Sequence, residues 1–315
     1  MAIEQADIRV VRKPWGSTDL LPWSDIRDDS GAIGELWCQR PGASAIEPAL
    51  LLKLLFTTQP LSIQVHPDDA FAQSIGLKHG KTEAWYILSA SPDACVALGL
   101  KRHLDATQLR ASIEDGSISQ LVKWRSVQKD DVIFVPAGTI HTIGAGIVLA
   151  EIQQRSDTTF RLFDYGRQRR LDVDDAVASS NREDPAPQPI ADSLSDTRTL
   201  LVADAHFILE RIDLAANTQW EMKVEQETWL FVLDGHAQIG WMNAGIGKAF
   251  FLDAADARIG VGPGGLSGLV AYPGPRPQAD LLRLVDSVPA DGPRSDFLHP
   301  AIVPRAAVQR KEIRV

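Results

Sequence analysis

The chain has 315 residues, 44% hydrophobic and 23% charged, enough apolar material for folded cores and, at roughly 100–200 residues per domain, for two domains rather than a disordered chain or a coiled coil. A formal charge of −9 argues against a surface built to coat nucleic acid or an anionic membrane, but a few placed Lys and Arg can still make a positive pocket for a small anion. The sequence has no run of about 18 uncharged apolar residues, no secretory h-region in its first residues and no motif around Cys38 and Cys95, so a reduced, cytoplasmic protein is expected.

In chain order, short β-branched apolar runs fall at 61–65, 85–88, 132–135, 147–152, 207–212, 229–233 and 257–261, each bounded by Gly, Pro, Asp or Ser. That pattern predicts a mainly β protein of many short strands, a sandwich or jelly roll. Helices are few. In 105–122, Leu109 and Ile113 share one helical face and Ile118, Leu121 and Val122 another. The five-residue step between the two sets contains Gly116 and predicts a break, with Asp105 as N-cap. Residues 172–179 read as one short helix. Pro185, Pro187 and Pro189 alternate in the segment 183–195, which predicts an extended linker.

A weak repeat spans that linker. Glu83-Ala84-Trp85-Tyr86 is echoed by Glu227-Thr228-Trp229-Leu230, and Val135-Pro136-Ala137-Gly138 by Gly262-Pro263-Gly264-Gly265. His141 follows Gly138 by three residues, whereas Gly268 stands at the corresponding place after Gly265. Two related barrels are expected: a catalytic domain over 1–184 with a small helical segment near 105–122, a linker over 185–195, and a degenerate domain over 196–315 without polar chemistry.

On a strand, Ser62, Gln64 and His66 share one face while Ile63 and Val65 share the other. Alone, this is equally an exposed strand with one histidine. Lys81 and Glu83 also point the same way, and by themselves fit an exposed charged pair better than a site. The strand at 132–135 runs into Pro136 and Gly138, which reads either as a turn that lets His141 open the next strand facing inward or as a capping turn with an incidental histidine. Together, Gln64, His66, Glu83 and His141 offer two nitrogen and two oxygen donors. That set suits zinc, with iron, manganese or nickel as alternatives. The other histidines, His79, His103, His206, His236 and His299, lack such company and read as structural or solvent-facing. Residues 151–167 are dense in Arg, Asp and Thr. They read either as a solvated loop or as a site for an anionic polyhydroxy ligand.

Four ordered motifs carry a resemblance: 61–69 (LSIQVHPDD), 80–86 (GKTEAWY), 135–141 (VPAGTIH) and 156–167 (SDTTFRLFDYGR), with Lys13-Pro14-Trp15-Gly16 ahead of them. They resemble the short bacterial form of the type I mannose-6-phosphate isomerase family, in the cupin superfamily, over about residues 10–180. The resemblance implies two cupin-like jelly-roll barrels with a few short helices, one zinc ion per chain, and interconversion of mannose 6-phosphate and fructose 6-phosphate through an enediol(ate). It places the metal ligands on Gln64, His66, Glu83 and His141, the active-site arginine on Arg161, a pocket lysine on Lys81 and a pocket carboxylate on Glu151. Lys53 and Ser62 match positions associated with phosphate. Phe160 and Phe163 stand where tyrosine is common in bacterial members, and the chain has no room for the large helical insertion of longer members. The expected partner is a phosphorylated sugar, with no nucleic acid or membrane. The alternatives are another metal-cupin sugar or sugar-phosphate isomerase, or a non-catalytic sugar-binding cupin.

Overall fold

The protein is described from a computed structural model over residues 2–27, 31–42, 47–181 and 187–287. Residues 185 and 186 of the expected linker and 288–315 of the expected C-terminal domain lie outside the described residues. The described chain is mainly β, with antiparallel sheets of the cupin-like sandwich kind.

A six-stranded sheet runs in the spatial order Asp7–Ser17, Ile33–Gln39, Leu50–Thr57, Ile147–Gln154, Glu83–Ala90, Val132–Val135. A five-stranded sheet runs Phe160–Phe163, Ile63–Val65, His141–Ile143, Cys95–Leu100, Val122–Ser126. The two face each other. Trp85, Ile87, Ile133 and Leu149 of the first pack with Val96, Leu98 and Ile143 of the second. Behind the five-stranded sheet lie the helices Ala106–Glu114, Ile118–Leu121 and Val173–Ser179. Leu109, Ile113, Ile118 and Ala176 cover Ile63, Val65 and Leu162 there. Asp105 caps the first of these helices reciprocally with Gln108, and Gly116, at φ +77°, separates it from the next.

The remaining strands form a ten-stranded sheet. Its long strands Thr228–Ile239 and Asp256–Pro273 pair along most of their length. Gly235 sits where they close up, at φ +81°, and a Cβ there would lie 2.1 Å from the Gly265 carbonyl oxygen, so no other residue fits. This sheet curls around its own core of Ile212, Leu230, Val270 and Tyr272. It also takes in the first strand, Ala2–Gln5, beside Ala249–Asp253.

The strand Leu50–Thr57 shows how the layers fit. All eight residues are buried, so both faces are covered. Leu50, Leu52, Leu54 and Phe56 pack toward Phe207, Trp229 and Phe231 of the ten-stranded sheet. The alternate residues, including Lys53 and Leu55, point into the first sandwich. The same alternation on the neighbouring strands sends Glu83, Trp85 and Ile87, and Leu149, Glu151 and Gln153, inward. Antiparallel pairing sets Glu151 opposite Lys53 and Gln153 opposite Glu83. The inward face is therefore apolar at one end and polar at the other. The polar end is where a site can form.

Candidate functional site

Gln64 and His66 come from the strand Ile63–Val65 and its exit, Glu83 opens one strand and His141 opens another. Ile63 and Val65 turn toward the helices, which leaves Gln64 and His66 on the interior side. His141 lies directly opposite Gln64 in register. Donor atoms of His66, Glu83 and His141 all lie within 4.8 Å of one another. His66 Nε2 is 3.4 Å from Glu83 Oε2, and His141 Nε2 is 3.4 Å from Glu83 Oε1. The Gln64 amide nitrogen is 3.2 Å from His141 Nε2, while its oxygen accepts from the Ser62 hydroxyl at 3.2 Å. A half-turn of the amide exchanges those two atoms.

The tautomers follow from the backbone. His66 Nδ1 is 2.8 Å from the Thr158 carbonyl and His141 Nδ1 is 2.8 Å from the Thr139 carbonyl. A carbonyl only accepts, so each Nδ1 carries the proton and each Nε2 presents a lone pair toward Glu83. Burial pushes His66 down to about 3, with the Lys81 charge adding to it, and burial lowers His141 too. Both are neutral at neutral pH. Burial acts to raise Glu83, but the Lys81 ammonium holds it well below the usual carboxylate range. Glu83 Oε2 is buried without a hydrogen bond. Its 2.6 Å contact with Lys81 Nζ is an ion pair that lacks hydrogen-bond alignment. Two imidazole lone pairs and an unsatisfied carboxylate oxygen, held together out of water, fit a divalent cation.

Lys81 and Glu83 overturn the expectation of an exposed pair: they are 4% and 0% exposed. The strand is covered on both faces, and Gly80 lets the chain close in. A Cβ on Gly80 would stand 2.5 Å from the Asp68 carbonyl carbon. The expectation of a solvated loop after residue 150 also gives way at its start, because Glu151 is 3% exposed within the strand Ile147–Gln154. Trp85 Nε1 donates to Glu83 Oε1 and to Glu151 Oε2, each at 3.1 Å. Burial and the Glu83 charge raise the Glu151 pKa.

A pocket of about 230 Å³ opens beside this cluster. Lys53, Ser62, Gln64, Lys81, Glu151 and Arg161 line it, while His66, Glu83 and His141 lie behind its wall. Lys53 Nζ lies 3.5 Å from Glu151 Oε1, 3.9 Å from Asp157 Oδ1 and 4.0 Å from Glu35 Oε2, and 4.4 Å over the Trp37 ring. The Arg161 guanidinium donates to the Arg170 carbonyl at 3.0 Å, and its Nε is buried without a partner.

Sequence reasoning did not assign Lys13, Trp15, Glu35 and Arg169 to this pocket, and it took Asp157 and Thr159 only as part of the Arg/Asp/Thr-dense stretch. Lys13 and Trp15 belong to the opening motif, which was the available signal. Glu35 carries none, because it arrives through sheet pairing. The lining holds five cations (Lys13, Lys53, Lys81, Arg161, Arg169) against three carboxylates (Glu35, Asp157, Glu151). The pocket is thus net positive within an acidic chain. Among the described residues this is the one His/Cys/Asp/Glu cluster able to hold a metal, and no helix is long and apolar enough to cross a membrane. His299 lies outside the described residues.

The weak repeat takes on a different task in the second sheet. Glu227, the counterpart of Glu83, accepts the Leu50 N–H at 3.0 Å, and Trp229, the counterpart of Trp85, donates to the Leu50 carbonyl at 3.3 Å. The echoed pair thus fastens the ten-stranded sheet to the six-stranded one.

No family model matches the chain. Over 121 residues it is 44% identical to mannose-6-phosphate isomerase ManA of Bacillus subtilis, covering 38% of each chain. Over 134 residues it is 39% identical to mannose-6-phosphate isomerase of Streptococcus mutans, covering 41% of this chain and 42% of that one. The alignments thus span about two fifths of these curated relatives. In fold, the crystal structure of mannose 6-phosphate isomerase from Bacillus subtilis matches with a TM-score of 0.75 at 23% identity, over 86% of this chain and 100% of that one. A mutant phosphomannose isomerase from Salmonella typhimurium matches with a TM-score of 0.68 at 16% identity, over 86% and 100%. In sequence the chain is thus similar to mannose-6-phosphate isomerases over the aligned stretch, and in fold it matches a solved one over 86% of its length.

Proposed function

We propose that the chain is a zinc-dependent aldose–ketose isomerase that interconverts mannose 6-phosphate and fructose 6-phosphate. One observation carries the reading: a buried His66/Glu83/His141 cluster stands behind a net-positive pocket in an otherwise acidic protein. The names of the sequence relatives agree with it.

Gln64, His66, Glu83 and His141 would hold the metal, and imidazole with carboxylate suits zinc. When bound, the ion supplies Lewis-acid stabilisation of oxygen charge. The chain's own side chains do the rest. Glu151 takes the proton from C2 of the aldose and returns it to C1, and the hydroxyl proton passes from O2 to O1. Trp85 holds the Glu151 carboxylate in place for that transfer. Arg161 and Lys81 donate hydrogen bonds to the oxygens as enediolate charge develops. Lys53 and Ser62 hold the phosphate, whose binding orients the sugar.

In this reading the catalytic domain lies within residues 1–184, and the described part of 196–315 forms an auxiliary domain that backs its sheet and, among the described residues, holds no metal cluster. The reaction uses a small metabolite and needs neither nucleic acid nor membrane, which fits a cytoplasmic enzyme.

The test is a coupled isomerase assay on phosphorylated and free hexoses, run beside metal analysis. The wild type should hold one zinc per chain and prefer the phosphorylated sugar. His141→Ala should lose both metal and turnover. Stoichiometric zinc in that variant overturns the ligand set, and a wild type inactive on mannose 6-phosphate overturns the reaction.

A further inference from the structure

Lys81 holds an atom that the proposed metal needs. Its ammonium nitrogen lies 3.0 Å from His66 Nε2 and 2.6 Å from Glu83 Oε2. His66 Nδ1 is committed as a donor to the Thr158 carbonyl, so Nε2 has a single lone pair, and that lone pair accepts from Lys81. A lone pair given to an ammonium cannot also ligate a metal.

The lysine backbone has no freedom to withdraw. Its N–H donates to the Pro67 carbonyl at 2.9 Å, and the preceding Gly80 N–H donates to Asp69 Oδ1 at 2.7 Å. Only the side chain can move. A destination is already present, since Glu151 Oε1 lies 4.0 Å from Lys81 Nζ and both residues line the pocket.

We infer that Lys81 is the resident cation of this centre: its ammonium pairs with His66 and Glu83 until a divalent ion takes the His66 lone pair, and is then displaced toward Glu151 and the substrate pocket. The inference rests on the proposed metal reading and deepens it. Metal loading and the arming of the pocket with a positive charge become one event. The buried Glu83 carboxylate is never left without a countercharge, which would be costly in so dry a place.

The test uses full-length protein stripped with a chelator and titrated with zinc against a chromophoric competitor. Lys81→Met removes the competing ammonium, so its zinc Kd should be about tenfold tighter than that of the wild type. The melting temperature of the stripped variant should fall below that of stripped wild type, because Glu83 has lost its countercharge. Lys81→Gln, which keeps a neutral donor, should lie between the two in both measurements. In the wild type, acylation of Lys81 by a small amine reagent, followed by mass spectrometry, should rise when zinc is added. Equal or weaker zinc affinity in both variants, or labelling of Lys81 that zinc does not change, overturns the inference while leaving the metal reading in place. Absence of zinc binding in the wild type overturns both.

Discussion

Trp85 and Glu151 face each other across neighbouring strands, and the indole N–H donates to Glu151 Oε2 at 3.1 Å while also reaching Glu83 Oε1. One donor serves two buried carboxylates. Trp85→Phe keeps an aromatic ring but removes the donor and part of the indole's volume, so two acceptors lose a shared partner and a small void is left. The expected cost is about 1–3 kcal/mol of stability, read by denaturant unfolding, with turnover falling as well. Unchanged stability and turnover would show that the indole N–H has no part in holding the carboxylates.

Glu151→Gln retains the shape of the side chain and removes its basicity. Its turnover should fall by about 10²–10⁴-fold, with KM within a few-fold of wild type and metal content intact. Steady-state kinetics and metal analysis check this. A turnover within threefold or so of wild type would assign proton transfer to another group.

In the ten-stranded sheet, Arg198 forms a bidentate pair with Glu210, with Nε to Oε2 and Nη2 to Oε1 both at 2.8 Å. The Tyr272 hydroxyl also contacts Glu210, and Arg198 donates to the carbonyls of Gln278 and Ala279. Glu210→Ala leaves a buried guanidinium without its carboxylate, at a cost of about 3–5 kcal/mol. Zinc stoichiometry measured in the cold, where the variant stays folded, should not change, because the network does not touch the candidate metal cluster. Loss of zinc at full folding would tie this network to the centre.

Acid stability should carry the mark of Asp164. Burial acts to raise its pKa, but the hydrogen bonds and charges of Arg169 and Arg167 hold it below the ordinary 3.8. A depressed carboxyl stabilises the fold above its unfolded pKa and loses that contribution as pH falls through the folded value. The stability gap between wild type and Asp164→Asn should therefore be constant from about pH 7 to about pH 5 and close below about pH 4. Urea unfolding across that range measures it. A gap that persists at low pH would mean that packing, rather than charge, explains the difference.

Much of the centre could be read from alternation alone. Ser62, Gln64 and His66 had to share a face, Pro136 and Gly138 had to turn the chain before His141, and Gly116 had to break the helix. These are consequences of local backbone geometry, and local geometry is written in consecutive residues. The motifs at 61–69, 80–86, 135–141 and 156–167 added the family resemblance.

Depth and company belong to the tertiary structure. Taken alone, Lys81 and Glu83 read as a surface pair, because alternation assigns a face without saying what covers it. The cover comes from the five-stranded sheet on one side and the ten-stranded sheet on the other, and Gly80 brings the segment in under both. Glu35 and Arg169 join the pocket through pairings and turns far from it in sequence. Glu227 and Trp229 repeat the Glu–Trp spacing of the centre, yet bind the backbone of Leu50, because the partners a side chain meets are set by which strands become neighbours. The contest between Lys81 and a metal for one lone pair is legible only in three dimensions, because it depends on a 3.0 Å contact between residues fifteen positions apart.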